Sequence, residues 1–202
     1  MAMKPLFLAS QSPRRAQLLS QLGLEFQVLK PSIEETNVLG LTEEEIIKQT
    51  EQNALLKGES VLNMIDEGIV ISGDTVIMTQ DHQVLGKPIT PAMALTMLKQ
   101  LAGTWHRVLS AVAVISTEPY QATVDHVWTT VTFRETSLDV LKKYIATTEP
   151  LGKAGGYAIQ GKGAFLVTQI SGSPSAVIGL PLELVVELLQ IHGIKIWQCW
   201  TD

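Results

Sequence analysis

The residues best placed to do chemistry lie in several separate segments, and the first is near the N-terminus. There Ser12 and Pro13 precede Arg14 and Arg15, at the point where an apolar run meets a helical pattern. Serine is a good N-cap and proline suits the first helical position, so we expect a helix to begin at Pro13. Hydroxyls and paired guanidinium groups beside the free N–H groups of a first turn match a phosphate-bearing ligand. A solvated pair of arginines is the alternative.

A carboxylate stands inside the most apolar strand pattern of the chain. Asp74 lies in the run from Gly68 to Met78, which is dense in β-branched residues. Burying a carboxylate is costly unless it is paired, metal-bound or protonated. Gly73 beside it would let another group approach closely. We therefore expect a functional role for Asp74, and a strand-end aspartate that caps a neighbouring amide in solvent is the alternative.

Two weaker signals concern phosphate and metal handling. Lys87 stands between a glycine and a proline, a rigid setting that would aim its ammonium at one spot. Glu34 and Glu35 offer oxygen ligands of the kind that Mg²⁺ uses together with substrate phosphates. The alternatives are a solvated lysine and a surface loop with adjacent glutamates.

A glycine-rich segment runs from Gly152 to Gly163 and contains Gln160. Glycines let the backbone approach a ligand, and the amide of Gln160 can both donate and accept hydrogen bonds, which suits reading a base edge. The segment has neither Walker nor Rossmann spacing, so a flexible hairpin is the alternative. We interpret the four histidines, which lie in different predicted elements, as structural or surface residues: His82, His106, His126 and His192.

Alternating strand and helix patterns carry these candidates. Strands are predicted at 6–9, 26–29, 68–78, 106–115, 122–133 and 164–170, with a hairpin-like turn at 81–83 before the segment 84–88. Helices are predicted from Pro13, from a Thr42–Glu45 capping box to about Leu62, over Ala92–Leu101, after Ser137 and from near Pro181. The run at 68–78 should be the central strand, and the two long strands after it should pair antiparallel. Strands and helices that alternate without a linker-like stretch predict one α/β fold with a mixed sheet.

Composition limits the classes of protein to which this chain can belong. The chain has 202 residues, 46% of them hydrophobic and 17% charged, which fits one large domain or two small lobes sharing a cleft. A net charge of −5 argues against a nucleic-acid partner. Cys199 is the only cysteine, which excludes an internal disulfide and makes a reducing cytoplasm the simplest location. We expect neither secretion nor membrane insertion, because signal-peptide features are missing and no apolar stretch reaches about 18 residues.

Taken together, the segments resemble the Maf family, the septum-formation-inhibitor-like nucleotide pyrophosphatases. Six of them occur in the family's order: Leu8-Ala9-Ser10-Gln11-Ser12-Pro13-Arg14-Arg15, Gly73-Asp74-Thr75-Val76, Leu85-Gly86-Lys87-Pro88, Thr130-Val131-Thr132-Phe133-Arg134, Lys153-Ala154-Gly155-Gly156-Tyr157-Ala158-Ile159-Gln160-Gly161 and Gly179-Leu180-Pro181-Leu182. Each segment alone would be weak evidence, whereas six in order across nearly the whole chain are specific.

The resemblance implies a Maf/ITPase-like fold, an elongated mixed β-sheet with flanking helices and two lobes around a central cleft. It also implies that residues 1–202 form a single domain, commonly in a homodimer, that cleaves a nucleoside triphosphate to the monophosphate and pyrophosphate with a divalent cation, Mg²⁺ or Mn²⁺. Asp74 matches the family's proton acceptor and a metal ligand. The other phosphate- and metal-handling positions are matched by Ser12, Arg15, Glu35 and Lys87.

Three further positions separate the family's substrate subgroups, and here they are Arg14, Thr75 and Gln160. The combination resembles the subgroup that acts on dTTP and UTP, in which Thr75 and Gln160 would bind the edge of thymine or uracil. It differs from the subgroup that acts on 7-methyl-GTP, where a tryptophan typically replaces the arginine. Two other readings stay open: a purine-directed pyrophosphatase of similar architecture, and a non-catalytic nucleotide-binding regulator of cell division.

One departure from the family concerns a lysine. The family usually carries it near the centre of the mid-chain helix, where this sequence has Asn53. Lys57 follows one turn later, and residues four apart share a helix face. Lys57 is therefore the candidate to replace the missing lysine, and Asn53 is the feature that favours the non-catalytic alternative.

Overall fold

The computed structural model describes residues 4–33, 36, 38 and 40–200. The strands of this part of the chain are β1 Leu6–Ala9, β2 Gln27–Leu29, β3 Ile69–Thr79, β4 Val84–Leu85, β5 Trp105–Ser116, β6 Gln121–Phe133 and β7 Val167–Ser171. Its helices are α1 Pro13–Ser20, α2 Glu43–Glu59, α3 Pro91–Leu101, α4 Leu138–Ala146, α5 Pro174–Ile178 and α6 Leu182–Ile191. None of the described helices combines the length and the apolar character needed to cross a membrane.

The strands form one mixed sheet, as predicted. Its order is β2-β1-β3-β5-β6-β7, with β4 paired to β3 beside this path. Strand β1 is parallel to both β2 and β3, whereas β3, β5, β6 and β7 pair antiparallel in turn. The predictions of a central strand at β3 and of an antiparallel β5–β6 pair are therefore confirmed, as is the α/β class with flanking helices.

Strand β3 is much longer than its parallel neighbour. The register with β1 ends where Ala9 lies opposite Ser72, and β4 pairs further along at Ile77 and Met78. No described strand pairs with residues 73–76 on this side. Ligands of open α/β sheets bind in the crevice beyond the carboxyl ends of parallel strands, where the strand order changes. The sheet topology therefore places Asp74 in such a crevice.

Two large apolar clusters flank this region of β3. One surrounds Leu8 and Ile71 and includes residues of α1 and α6. The other surrounds Ile77 and includes Leu98 of α3 and Leu141 of α4. Because these groups are largely aliphatic and close to fully buried, they give the sheet a rigid frame on both sides of the crevice.

Most helix starts follow from local signals. α1 begins at Pro13 with Ser12 at the N-cap position, but the Ser12 hydroxyl makes no capping hydrogen bond. Instead the Ser12 N–H donates to Ser10 Oγ at 3.1 Å. The predicted capping box of α2 is confirmed, with Thr42 and Glu45 bonding reciprocally.

The predicted strand at 164–170 began too early. The structure has a 3₁₀ turn over Lys162–Leu166, and β7 starts only at Val167. The reason is a long-range contact, because the carboxylate of Glu149 accepts hydrogen bonds from the N–H groups of Lys162 and Gly163 and holds them in a turn. Similarly, α2 ends at Glu59, and Leu62 belongs to a separate 3₁₀ turn.

Candidate active site

Three adjoining cavities meet at the crevice beside β3. The first, of about 110 Å³, is lined by Ser12, Arg14, Arg15, Asp74, Thr75, Ile77, Lys87, Lys153, Ala154, Tyr157, Ala158, Ile159, Gln160, Val177, Ile178 and Gly179. The second, of about 400 Å³, is lined by residues 10–15 together with Pro31, Ile33, Lys57, Lys87 and Gly152. The third, of about 610 Å³, is a more apolar groove between the first half of α3 and β3 that also reaches Asp74 and Lys87.

The first cavity brings together every predicted site residue that the structure describes. These are Ser12, Arg14, Arg15, Asp74, Thr75, Lys87 and Gln160. They come from four separate segments of the sequence, carried by the start of α1, the open edge of β3, the loop after β4 and the glycine-rich segment. The remaining prediction, Glu35 as a metal ligand, lies outside the described residues.

Asp74 is buried, with 6% of its surface exposed, and both of its carboxylate oxygens have partners on α2. Lys57 Nζ lies 2.7 Å from Oδ1, and Asn53 Nδ2 donates to Oδ2 at 3.2 Å. Lys57, the candidate to replace the family's lysine, therefore contacts the carboxylate directly. An ionised carboxylate has about four lone-pair sites, so these two bonds leave acceptor capacity on Asp74.

Helix geometry explains why both partners reach the same carboxylate. Residues 53 and 57 are four apart and lie on one face of α2, and this helix packs across β3 and β5. The side chains of Lys57 and Asp74 are only 7% and 9% exposed. Each charge offsets the desolvation of the other, and removing one would leave an uncompensated buried charge.

Asn53 also binds the backbone of Thr36, which precedes α2 in the chain. Its Oδ1 accepts from the Thr36 N–H at 3.2 Å, and its Nδ2 donates to the Thr36 carbonyl at 3.1 Å. One amide therefore joins Thr36 to Asp74. An asparagine can do this because it carries a donor and an acceptor, whereas a lysine at the same position could only donate.

Arg15 is held in place by two acceptors, one on the backbone and one on a side chain. Its Nε donates to the Gly179 carbonyl at 2.7 Å, and its Nη2 donates to Thr75 Oγ1 at 3.2 Å. The Thr75 hydroxyl lies 3.2 Å from Ser110 Oγ as well. These contacts orient the planar guanidinium on the cavity wall, which is the kind of fixed fork that matches phosphate oxygens.

Lys153 is a second lysine of this cavity that sequence analysis did not single out. Burial and the neighbouring Arg14 guanidinium lower its pKa, against a smaller opposing effect of Glu149. Its ammonium donates a hydrogen bond to the backbone oxygen of Glu149. Two cations held close together in a cavity indicate an anionic ligand between them. The sequence feature that could have identified Lys153 is its position at the start of the glycine-rich segment.

An aromatic cluster supports the base of the cavity. Tyr157 lines it, and its hydroxyl lies 2.9 Å from His106 Nε2. Burial lowers the pKa of His106 to about 4, so the ring is neutral at physiological pH. Phe133 meets both rings edge-on. The interpretation of His106 as structural therefore agrees with its position, although it lies directly behind a cavity-lining residue.

Comparison with known proteins places these features in one family. Residues 5–192 match the family described as Maf-like protein. The chain belongs to the Maf family. Within it, the chain is 46% identical over 194 residues to a protein named dTTP/UTP pyrophosphatase from Alcanivorax borkumensis, covering 96% of this chain and 98% of that relative.

Two further Maf relatives carry the same name. One from Moorella thermoacetica is 42% identical over 195 residues, covering 96% of this chain and 98% of the relative. Another from Pelotomaculum thermopropionicum is 39% identical over 194 residues, covering 96% and 100%. The similarity spans almost the whole length on both sides, so it includes every segment that contributes to the crevice.

The Maf resemblance implies a divalent metal, and the described residues offer few ligands for one. Asp74 is the single carboxylate among the described residues that line the three cavities. Mg²⁺ is commonly bound through one or two carboxylates plus substrate phosphates, so this donor set fits a metal that arrives with the nucleotide. The described residues also bring Glu51, Asp125 and His126 together, but these residues line none of the three cavities.

Proposed function

We propose that this chain hydrolyses dTTP and UTP to the monophosphate and pyrophosphate. The observation that carries the proposal is the buried Asp74 carboxylate, held by Lys57 and Asn53 at the junction of the cavities. Support comes from relatives at 39–46% identity that are named dTTP/UTP pyrophosphatase. Those names favour an enzyme over a non-catalytic regulator of cell division.

The triphosphate would occupy the cavity of about 400 Å³ at the start of α1. Ser12, Arg14 and Arg15 line it on one side, and Lys57 and Lys87 supply ammonium groups on the other. A helix N-terminus with guanidinium forks stabilises phosphate oxygens through N–H donors and positive charge. This arrangement would bring the α-phosphorus next to Asp74.

The base would enter the smaller cavity, where Thr75 and Gln160 are on the wall. The Thr75 hydroxyl can accept a hydrogen bond from N3–H of thymine or uracil, and the Gln160 amide can donate to O4. A base with the opposite donor pattern would leave these groups unpaired, which is why polar pairs discriminate efficiently.

Asp74 would act as the general base. It accepts the proton of a water molecule that attacks the α-phosphorus, and the bond between the α-phosphorus and the bridging oxygen then breaks to release pyrophosphate. Lys57 and Asn53 hold the carboxylate in position. Arg14, Arg15 and Lys87 offset charge on the phosphate oxygens.

A divalent cation would be held by Asp74 and by oxygens of the substrate, with Glu35 as the expected further ligand. When bound, Mg²⁺ or Mn²⁺ would offset phosphate charge and help to orient the α-phosphorus. Since Lys57 and Asn53 already contact Oδ1 and Oδ2, the metal would use the lone pairs of Asp74 that these two bonds leave.

The activity is tested by pyrophosphate release from dTTP, UTP, dCTP, ITP and XTP with Mg²⁺ or Mn²⁺. We expect release from dTTP and UTP, and a drop of about 10²–10⁴-fold in Asp74→Asn, the contribution typical of a general base. Faster release from ITP or XTP would support the purine-directed alternative. Nucleotide binding with no release from any member of the panel would support the regulator.

We also propose that residues 1–202 act as one domain, as a homodimer in the cytoplasm, without a nucleic-acid partner. The cytoplasmic location is supported by a single cysteine, Cys199, and the lack of a nucleic-acid partner by a net charge of −5. Light scattering on the purified protein tests the dimer, for which a mass of 44 kDa, twice the chain's 22.0 kDa, is expected.

A further inference from the structure

The turn that carries Gln160 is held by one carboxylate, Glu149, in the loop that follows α4. Glu149 Oε2 accepts from the Lys162 N–H at 2.9 Å, and Oε1 accepts from the Gly163 N–H at 2.9 Å. Consecutive backbone N–H groups that converge on an anion form a nest, which fixes the local backbone conformation.

Tyr144 links Glu149 to the part of the turn that precedes Gln160. The Tyr144 hydroxyl donates to Glu149 Oε1 at 2.9 Å and accepts from the Ala158 N–H at 3.3 Å. Glu149 therefore holds the turn on both sides of Gln160, directly at residues 162 and 163 and through Tyr144 at residue 158.

Glu149 and the turn pack closely at two glycines. A Cβ atom at Gly161 would lie 2.5 Å from Glu149 Oε2, and one at Gly163 would lie 2.9 Å from the Ala158 carbonyl. Burial by itself raises the pKa of Glu149, but the N–H groups of Gly163 and Lys162, the Tyr144 hydroxyl and Lys153 bring the pKa below its usual value. The carboxylate is thus ionised at neutral pH.

The Gln160 side chain is exposed, and the hydrogen bonds of the described residues include none from its amide. The backbone of the turn consequently sets the position from which this side chain can reach the cavity. We propose that Glu149 is a positioning residue for base recognition, since it fixes the turn that presents Gln160 to the nucleobase. The proposal rests on the pyrimidine-nucleotide activity inferred above.

Two nucleotide analogues that differ only at the base edge provide the test. α,β-Imido-UTP and α,β-imido-CTP resist cleavage at the α-phosphorus, and calorimetry in Mg²⁺ gives the Kd of each. We expect the wild type to prefer the uracil analogue. Glu149→Gln should reduce that preference about tenfold, because its amide loses the charge and turns an NH₂ group toward a backbone donor.

Matched variants separate this role from general destabilisation. Tyr144→Phe removes only the bridging hydroxyl and should weaken the preference in the same direction. Glu187→Gln makes the same charge change at an exposed position of α6 that lines none of the three cavities, and it should keep the native preference. Thermal unfolding of each variant is measured alongside, and Tyr144→Phe decides the matter if Glu149→Gln does not fold.

A double-variant cycle gives the decisive readout. If Glu149 acts through Gln160, adding Glu149→Gln to Gln160→Ala leaves the ratio of the two Kd values unchanged. Losses that add in the double variant overturn the proposal. So does a native preference in the folded Glu149→Gln and Tyr144→Phe variants, or a wild type that binds both analogues equally.

Pyrophosphate release from UTP is followed separately on the wild type. Its absence would refute the proposed hydrolysis, while the binding ratios would still decide whether Glu149 positions the base-reading turn. The two failures are therefore distinguishable.

Discussion

Lys57 Nζ and Asp74 Oδ1 lie 2.7 Å apart, and neither side chain is more than 9% exposed. The pair joins the last turn of α2 to the open edge of β3, where Asp74 lines two of the three cavities. A buried pair of this kind is expensive to break by removing one member. Lys57 is also the residue that the resemblance to the family offers in place of the lysine expected at position 53.

Lys57→Met should destabilise the protein by about 3–5 kcal/mol, since it leaves Asp74 as an unpaired buried charge. The double variant Lys57→Met/Asp74→Asn should recover most of that loss, because it removes both charges. Urea unfolding measures these free energies. Lys48→Met, at an exposed position of the same helix, serves as the control and should change stability little. Equal destabilisation in the single and double variants would contradict the expected coupling.

Moving the lysine back by one turn should preserve catalysis. We expect Lys57→Leu to lower kcat for pyrophosphate release from UTP at least about tenfold, by loosening Asp74. Adding Asn53→Lys should restore part of kcat, because residues 53 and 57 share a helix face. Steady-state kinetics of the single and double variants measure this effect. If Asn53→Lys gives no recovery in a folded double variant, the two positions are not interchangeable.

His106 should make the protein sensitive to acid. Its pKa is about 4 in the folded chain and 6.5 ordinarily, so between these values the unfolded chain binds a proton that the folded chain does not. Stability should therefore fall as the pH drops from 6.5 to 4, with His106 contributing about 3 kcal/mol in total.

His106→Gln removes the titrating group and should flatten this part of the curve of unfolding free energy against pH. Its amide can still bond the Tyr157 hydroxyl. His82→Asn is the control, because His82 is exposed and has a positive φ of 58°, which asparagine tolerates. An unchanged acid slope in His106→Gln would exclude His106 as the source.

Lys153 should give substrate binding an alkaline limit. Its pKa is lowered by burial and by Arg14, so its positive charge is lost at a lower pH than that of an ordinary lysine. We expect KM for UTP to rise as the pH increases through this range. Lys153→Arg should remove the rise, because arginine stays charged. A KM profile that is identical in the wild type and in Lys153→Arg would show that another group causes any alkaline loss.

Local sequence signals predicted much of the fold and part of the site. The start of α1 at Pro13, the capping box of α2 and the central position of β3 follow from caps and β-branched runs that act over a few residues. Asp74 stood out because its burial needs an explanation. The contact between Glu149 and the turn at 162–163 could not be predicted in this way, because it joins backbone donors to a side chain more than ten residues away. Since this contact holds residues 162 and 163 in a turn, β7 starts later than the sequence predicted.

Because β1 is shorter than β3, a polar site can form beside β3 without weakening the protein. The crevice beside residues 73–76 forms where one strand ends before its neighbour, so it leaves the apolar clusters towards the two ends of β3 intact. Polar and charged groups can thus be exchanged along this edge during evolution while the interior stays the same, which would let one scaffold serve nucleotides with different bases.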